Sequence, residues 1–422
     1  MSFAQSRKAS LPFIFFTIFL DALGLGILIP ILPDVIRRFS SDPYFVNQYF
    51  GYFISVYALV QFFASPMQGA LADKFGRRPV LLVSLFGASV DYLLMAYAPN
   101  LWLLFLGRII SGITCASFTV ASSYIADISD DSNRSANFGL IGAGWGLGFI
   151  AGPMLGGLFG SLGPEAPFLA SAALNMVNFF FGLFVLPESL PPEKRRNISI
   201  RDINPFRLLI RVLKPSPIFP LVVTFFLTHM AGQSHPSVWT LYTQYKFGWS
   251  ALEVGFSLSA FGVGIATVQG GLTRIIIPKL GEARALKWGL LLSAFSFVAF
   301  SLATQSWMMY VIMVFSSIAG IHAPALQAMI SGRVPSNEQG ELQGSLMSLA
   351  SLTAILGPLL FTGLFADFTA PDVSTPFPGI SYLVAGMFSL SAFILLVFKS
   401  RGGQFQVPVP IDEVTHLERQ SS

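Results

Sequence analysis

Three ionisable residues stand where ionisable residues are costly. Asp21, Asp91 and Arg108 each lie inside long apolar runs, and a charge at the centre of a bilayer costs about 2.5–3.5 kcal/mol on insertion scales. A charge kept there needs a compensating partner or work that only a charge can do. A carboxylate can take up and release a proton, whereas arginine stays protonated and can only orient or compensate. A helix rise of about 1.5 Å per residue places Asp21 roughly 15 Å into its run, near the midplane. Asp91 and Arg108 both come to roughly 18–20 Å from the same face, in adjacent runs, so they can pair. That pair fits a structural or a switching role. Asp21 has no cation in its own run and is the preferred proton carrier, with Asp91 and Arg108 as its partners in coupling.

The elements that must position these residues are read from composition and hydropathy. Charged residues are 11% of the chain, against roughly 25% in soluble domains. Hydrophobic residues are 53%, with 42 Phe, and the mean hydropathy is +0.66. Soluble enzymes, disordered hubs and fibres are excluded. Apolar runs long enough to cross about 30 Å of hydrocarbon as helices fall at 11–33, 46–70, 79–97, 101–128, 136–162 and 166–187. A second set falls at 218–239, 251–277, 285–304, 306–331, 342–366 and 379–398. The runs are too long and too uniformly apolar for barrel strands, and the first leads straight into the second, unlike a cleavable signal. The fold class is an all-α membrane protein of twelve transmembrane helices.

Twelve spans put both termini on one side, and Lys and Arg decide which. Arg37, Arg38 and Lys246 lie on the opposite side and Arg108 within a span; every other one of the 25 cations is on the side of the termini. Both termini are therefore expected in the cytoplasm. The net charge of +4 is a topology signal, and no nucleic-acid partner is expected. The stretch 188–217, rich in Pro and charge, reads as a cytoplasmic linker with a surface helix possible at 201–213. It divides an N-terminal six-helix bundle, 1–187, from a C-terminal one, 218–399, with a polar tail at 400–422.

The two bundles repeat. Lys74-Phe75-Gly76 matches Lys279-Leu280-Gly281, Gly139 matches Gly344, and Gly152-Pro153 matches Gly357-Pro358, all at one offset of 205. Parallel six-helix repeats related by a pseudo-two-fold axis place a substrate site between the halves and allow alternating access.

Two stretches carry further chemistry. GALADKFGRRPV, 69–80, puts Gly69 and Gly76 at a tight turn, with Asp73, Arg77 and Arg78 supplying both signs at a helix junction. Asp127, at the end of the fourth span, emerges at the same level as Arg77, and the two are expected to form a cytoplasmic gate, with Asp73 docking on the start of the eleventh helix. In the fifth span Gly144, Gly148, Gly152, Gly156 and Gly160 recur every four residues, a small-residue face that lets a neighbour approach closely. Static packing and a sliding contact between the halves both fit it.

These stretches resemble signatures of the major facilitator superfamily. GALADKFGRRPV is similar to its signature loop, LGRIISGITCA at 106–116 to its fourth-helix motif, and GLGFIAGPMLGG at 146–157 to the fifth-helix motif of its drug:proton antiporter branch, which covers Gly148, Gly152, Pro153, Gly156 and Gly157. LDALGLGILIPILP at 20–33, DYLLMAYAPNLWLLFLGR at 91–108, FGWSALEVGFSL at 247–258, PALQAM at 324–329 and GELQGSLMSL at 340–349 are similar to tetracycline/proton antiporters in particular. The resemblance implies the two-bundle fold, proton-driven efflux and a bacterial inner membrane. Three positions depart from it: Ile265 and Ser293 stand where those antiporters carry a His in the eighth helix and an Asp in the ninth, and Cys115 where Gly is usual. Weak or no tetracycline export is the expectation.

Gln61, Asn175, Asn178, His229, Gln233 and Gln327 are the polar candidates for a substrate cavity, His229 and Gln233 sharing a face four residues apart. His235 and His322 read as packing residues. The single cysteine excludes a disulfide framework and a Cys-based zinc site. No HExxH, GxSxG or P-loop motif is present, so neither enzyme chemistry nor a nucleotide-driven pump is expected, and no cofactor or metal. The function expected is a proton-coupled antiporter exporting amphipathic organic compounds or drugs, as a monomer whose partners are its substrate, protons and lipid. A specific metabolite or siderophore carrier of the same fold is the alternative, and an intramembrane enzyme the remote one.

Overall fold

A computed structural model describes residues 3–114, 117–130, 133–195, 204–206, 210, 217–334 and 339–401. Its spans begin and end on local signals. The first runs Phe3–Arg37. The second, Pro43–Phe75, starts on Pro43 and on Asp42, whose side chain accepts from the Tyr44 N–H, and stops at Gly76. Arg77–Tyr97 follows as the third. The fourth covers Leu101–Ile128, the fifth Arg134–Gly160 and the sixth Ala166–Val185.

Among the described residues, eleven helices are long and apolar enough to cross a membrane. The remaining span is the seventh, and it differs from the sequence reading of 218–239. It is built of Phe219–Gly232 and Ser234–Phe247, parted at Gln233. Its second half, SHPSVWTLYTQYKF, is too polar to be recognised as lipid-facing, because it is buried by protein: Ser234, Ser237, Thr240 and Thr243 are all buried. The eighth span opens on a Ser250/Glu253 capping box and reaches Leu280 through a π-helical turn at Val268–Leu272. Glu282–Leu302 is the ninth. The tenth breaks between Ser306–Ala319 and His322–Ser331, and Gln339–Phe368 and Ile380–Arg401 complete the set. The surface helix expected over 201–213 and the tail after 401 lie largely outside the described residues.

The repeat is visible in the backbone. Gly76 and Gly281, equivalent at the offset of 205, both carry positive φ, +108° and +78°, a conformation open to glycine and strained for other residues. Spans one to six pack among themselves, as do seven to twelve. The halves meet along two seams, fifth against eighth and second against eleventh. Exchanging the halves turns one seam into the other, as a two-fold axis requires.

Both seams are tight at the end remote from the linker, here the far side. Gly157 abuts Ala251 and Leu252, and Gly255 abuts the Pro153 carbonyl. In the second seam Ser55 donates to the Ile355 carbonyl at 2.8 Å and Tyr44 to the Asp367 carboxylate at 3.1 Å. Between the seams the seventh span meets the first, where Thr240 donates to the Ile29 carbonyl at 3.0 Å and Arg37 to the Gln244 side chain at 2.9 Å. Toward the linker side the seams part around a cavity.

Candidate transport site

Asp91 and Arg108 form an ion pair, Arg108 Nη2 to Asp91 Oδ2, with neither residue more than 2% exposed. The depth arithmetic put them level, and the third and fourth spans pack side by side. Arg108 Nη2 also reaches Met95 Sδ at 2.9 Å. Its guanidinium lies 5.3 Å from the Phe53 ring and 5.6 Å from the Tyr57 ring, cation–π range. Asp91 Oδ1 and Arg108 Nε have no hydrogen-bond partner among the described residues. The pair is thus neutral as a unit but incompletely satisfied.

Beside it opens a cavity of about 1280 Å³. Asp21 and Arg108 sit in its wall at mid-depth, with Gln61, Asn175 and Gln343 as further polar members. Tyr57, Phe62, Phe118, Phe138, Trp145 and Met347 supply aromatic and apolar surface. Five of the eight Ser and Thr hydroxyls of the wall are spent on their own helices: Ser84 donates to Val80, Thr114 to Ile110, Ser122 to Phe118, Ser348 to Gly344 and Ser351 to Met347. The Asn175 amide does the same with Ser171.

Of the polar candidates, Gln61 and Asn175 line this cavity. The other four are elsewhere in this conformation. Asn178 donates to Thr17 at 2.9 Å between the sixth and first spans. His229 bonds the Phe225 carbonyl one turn back and stacks on the Phe225 ring at 3.8 Å. Gln233 fills the space over Gly357 of the eleventh span. Gln327 stands one step behind the wall, donating to Gln343 at 2.7 Å. Shared helix faces were legible in the sequence; which neighbour each face meets was not.

At the linker-side junction Arg77 is buried. Its Nε lies 3.2 Å from Asp127 Oδ2, as expected, and its Nη1 lies 2.5 Å from Asp73 Oδ1. In this conformation Asp73 therefore pairs within its own loop. The sequence reading missed Glu188. Its carboxylate accepts from the Arg77 and Arg78 N–H groups at 2.8 and 3.2 Å, capping the third span from the start of the linker. A carboxylate at a helix N-terminus meets unpaired N–H groups and the positive end of the dipole. The signal was an acid just beyond the sixth span. Gly69 lies nearby in the cavity wall, and Arg78 Nη2 donates to the Leu183 carbonyl at 2.6 Å.

The glycine stripe packs on the first span, within one half. Gly144, Gly148, Gly152 and Gly156 face the backbone carbonyls of Phe15, Phe19, Leu23 and Ile27 in turn, one helical step at a time. The seam between halves uses the other face of the same helix, through Pro153 and Gly157. Ser293, at the position where the resemblance has an Asp, lies buried with its Oγ 3.3 Å from Ser389 Oγ. Ile265 is half-buried, and Cys115 lies outside the described residues.

Comparison with known proteins gives this arrangement its family. The tetracycline resistance protein, class C, of Escherichia coli is 42% identical over 350 residues, covering 83% of this chain and 88% of that one. The class G protein of Vibrio anguillarum is 42% identical over 347 residues, covering 82% and 88%. Among solved structures, the human organic anion transporter MFSD10 (TETRAN) superposes with a TM-score of 0.68 at 25% identity, covering 92% of this chain and 99% of that one. A bacterial homolog of the human lysosomal transporter Spinster shares the fold, with a TM-score of 0.76 at 16% identity over 96% and 99%. The sequence also matches the Major Facilitator Superfamily over residues 14–288 and 236–414, and with twelve spans in two repeated bundles around a central cavity, this chain belongs to that superfamily.

Proposed function

We propose that the protein is a proton-coupled antiporter that exports amphipathic organic compounds by alternating access. The observation that carries this reading is the cavity: about 1280 Å³, walled by aromatic and apolar side chains, with Asp21 and the Asp91–Arg108 pair at its mid-depth end. Hydroxyls already bonded to their own helices offer a ligand few fixed partners. Such a wall suits a family of amphipathic compounds better than one polar metabolite. Its volume lies above the range of about 300–1,000 Å³ typical of small-molecule pockets.

With the linker in the cytoplasm, as the cation asymmetry argues, the structure is the inward-open state, ready to load from the cytoplasm. Asp21 carries the proton. Asp91 and Arg108 switch or brace. Arg77, Asp73 and Asp127, with Gly69, Gly76 and Arg78 shaping their loop, form the cytoplasmic gate. The tetracycline resistance relatives support drug:proton antiport. Ile265 and Ser293 remove two titratable groups that the resemblance would place, so tetracycline is a poor substrate in this reading.

Inside-out vesicles with an imposed pH gradient and a compound panel test it. Uphill accumulation of amphipathic drugs that collapses with the gradient is expected, with tetracycline weak. Accumulation of none of them, with a polar metabolite taken up instead, overturns it.

A further inference from the structure

The linker reaches into the mouth of the cavity. Asn204 Oδ1 accepts from the Phe206 N–H at 2.9 Å, an Asx turn that presents the two residues after Asn204. Pro205 is buried and forms part of the cavity wall. The Phe206 ring meets Phe62 and Phe63 edge-on, centroids 5.6 and 5.8 Å apart, favourable geometry for aromatic pairs.

The consequence lies in where this contact sits. On the far side Gly51 abuts Pro358 and Thr362, and Ser55 bonds Ile355. The second and eleventh spans are antiparallel, so each step forward in one is a step back in the other. Continued at that register, Phe62 comes opposite Ser348 and Pro66 opposite Gly344. Instead of touching, these four line the cavity. Closing the linker side brings the two helices to packing distance, about 8–10 Å between axes, along this stretch. Pro205, buried in the wall of that same cavity, and the Phe206 ring, packed on Phe62, cannot keep these places as it closes.

We propose that Pro205 and Phe206 form a wedge that holds the linker side open and leaves the seam each time the carrier closes there. The wedge rests on the alternating-access part of the function proposed above, and on neither the proton nor the drug.

The test uses the full chain in lipid nanodiscs, without substrate, in a Cys115→Ser background. Single reporter cysteines are placed by Ser348→Cys in the mouth and Thr362→Cys in the far-side seam, and maleimide labelling rates are compared. Phe206→Ala is expected to raise the rate at Thr362 about fivefold, equivalent to about 1 kcal/mol, and to slow labelling at Ser348. Phe206→Trp, which keeps an aromatic ring, is expected to leave both rates as they are. Unchanged rates in Phe206→Ala, or the same rise in Phe206→Trp, overturn the wedge while alternating access stands. A Thr362 reporter that labels only after denaturation, in every variant, overturns alternating access and the wedge with it.

Discussion

A carboxylate and a guanidinium buried together are neutral as a pair and charged apart, which sets what substitution at Asp91 or Arg108 does. Removing one partner leaves the other buried and uncompensated, at a cost of about 3–5 kcal/mol. Asp91→Asn and Arg108→Gln should each lower the thermal unfolding temperature in detergent. The double variant should recover most of that loss without recovering transport. A double variant as unstable as the singles would show that charge compensation is not what the pair provides. Asp21 makes the opposite prediction, because it lies in the cavity wall at the depth where a proton must change sides. Asp21→Asn should fold normally, lose proton-driven accumulation and still exchange substrate down its gradient. Uphill pumping by that variant would move the proton to Asp91 or His229. Of these residues the sequence made depth and pairing legible, since 1.5 Å per residue is enough to level two positions in adjacent helices. Glu188 was legible only as an acid just beyond the sixth span; its partners were not, because its role is an end-to-end contact with Arg77 and Arg78, far away in sequence.

The fifth helix shows what periodicity can and cannot supply. A four-residue glycine repeat on a helix dictates a smooth face, and the structure lays that face on the carbonyls of the first span. A side chain at Gly152 would meet Gly26 backbone atoms, with its Cβ only 2.8 Å from the Gly26 Cα. Overpacking of this kind typically costs about 1–3 kcal/mol, and backbone cannot rotate aside as a side chain can. Gly152→Leu should therefore lower stability and open the N-terminal bundle. Met154→Leu, on an exposed face of the same helix, should do neither, and equal unfolding temperatures for the two would refute the packing role. No pattern within one helix names the neighbour, so the sequence left open whether this face joined two halves or braced one. The seventh span failed in the other direction. Its second helix is polar in sequence because Thr240, Thr243 and Tyr242 bond inside the protein, where hydropathy measures the wrong solvent.

At the scale of the whole molecule, one side is latched and the other open, so function depends on which side is which. The latch joins the halves through Arg37–Gln244, Tyr44–Asp367, Ser55–Ile355 and Thr240–Ile29. None of these contacts can survive opening of the far side; Arg37–Gln244 and Tyr44–Asp367 are exposed there, whereas Ser55–Ile355 and Thr240–Ile29 lie deeper and become hydrated only as it opens. The proposed orientation rests on Lys and Arg, which leave only Arg37, Arg38 and Lys246 in far-side loops. In a Cys115→Ser background, a cysteine at Ser41, exposed on the far side, should react with a membrane-impermeant maleimide in intact cells. A cysteine at Ser199, in the linker, should react only in inside-out vesicles. With that pattern the cavity faces the cytoplasm, and a drug entering it from inside is released outside when the latch opens in exchange for a proton. Labelling of Ser199 from outside intact cells would reverse the argument: the same cavity would load from the exterior, and the proton gradient would have to drive uptake.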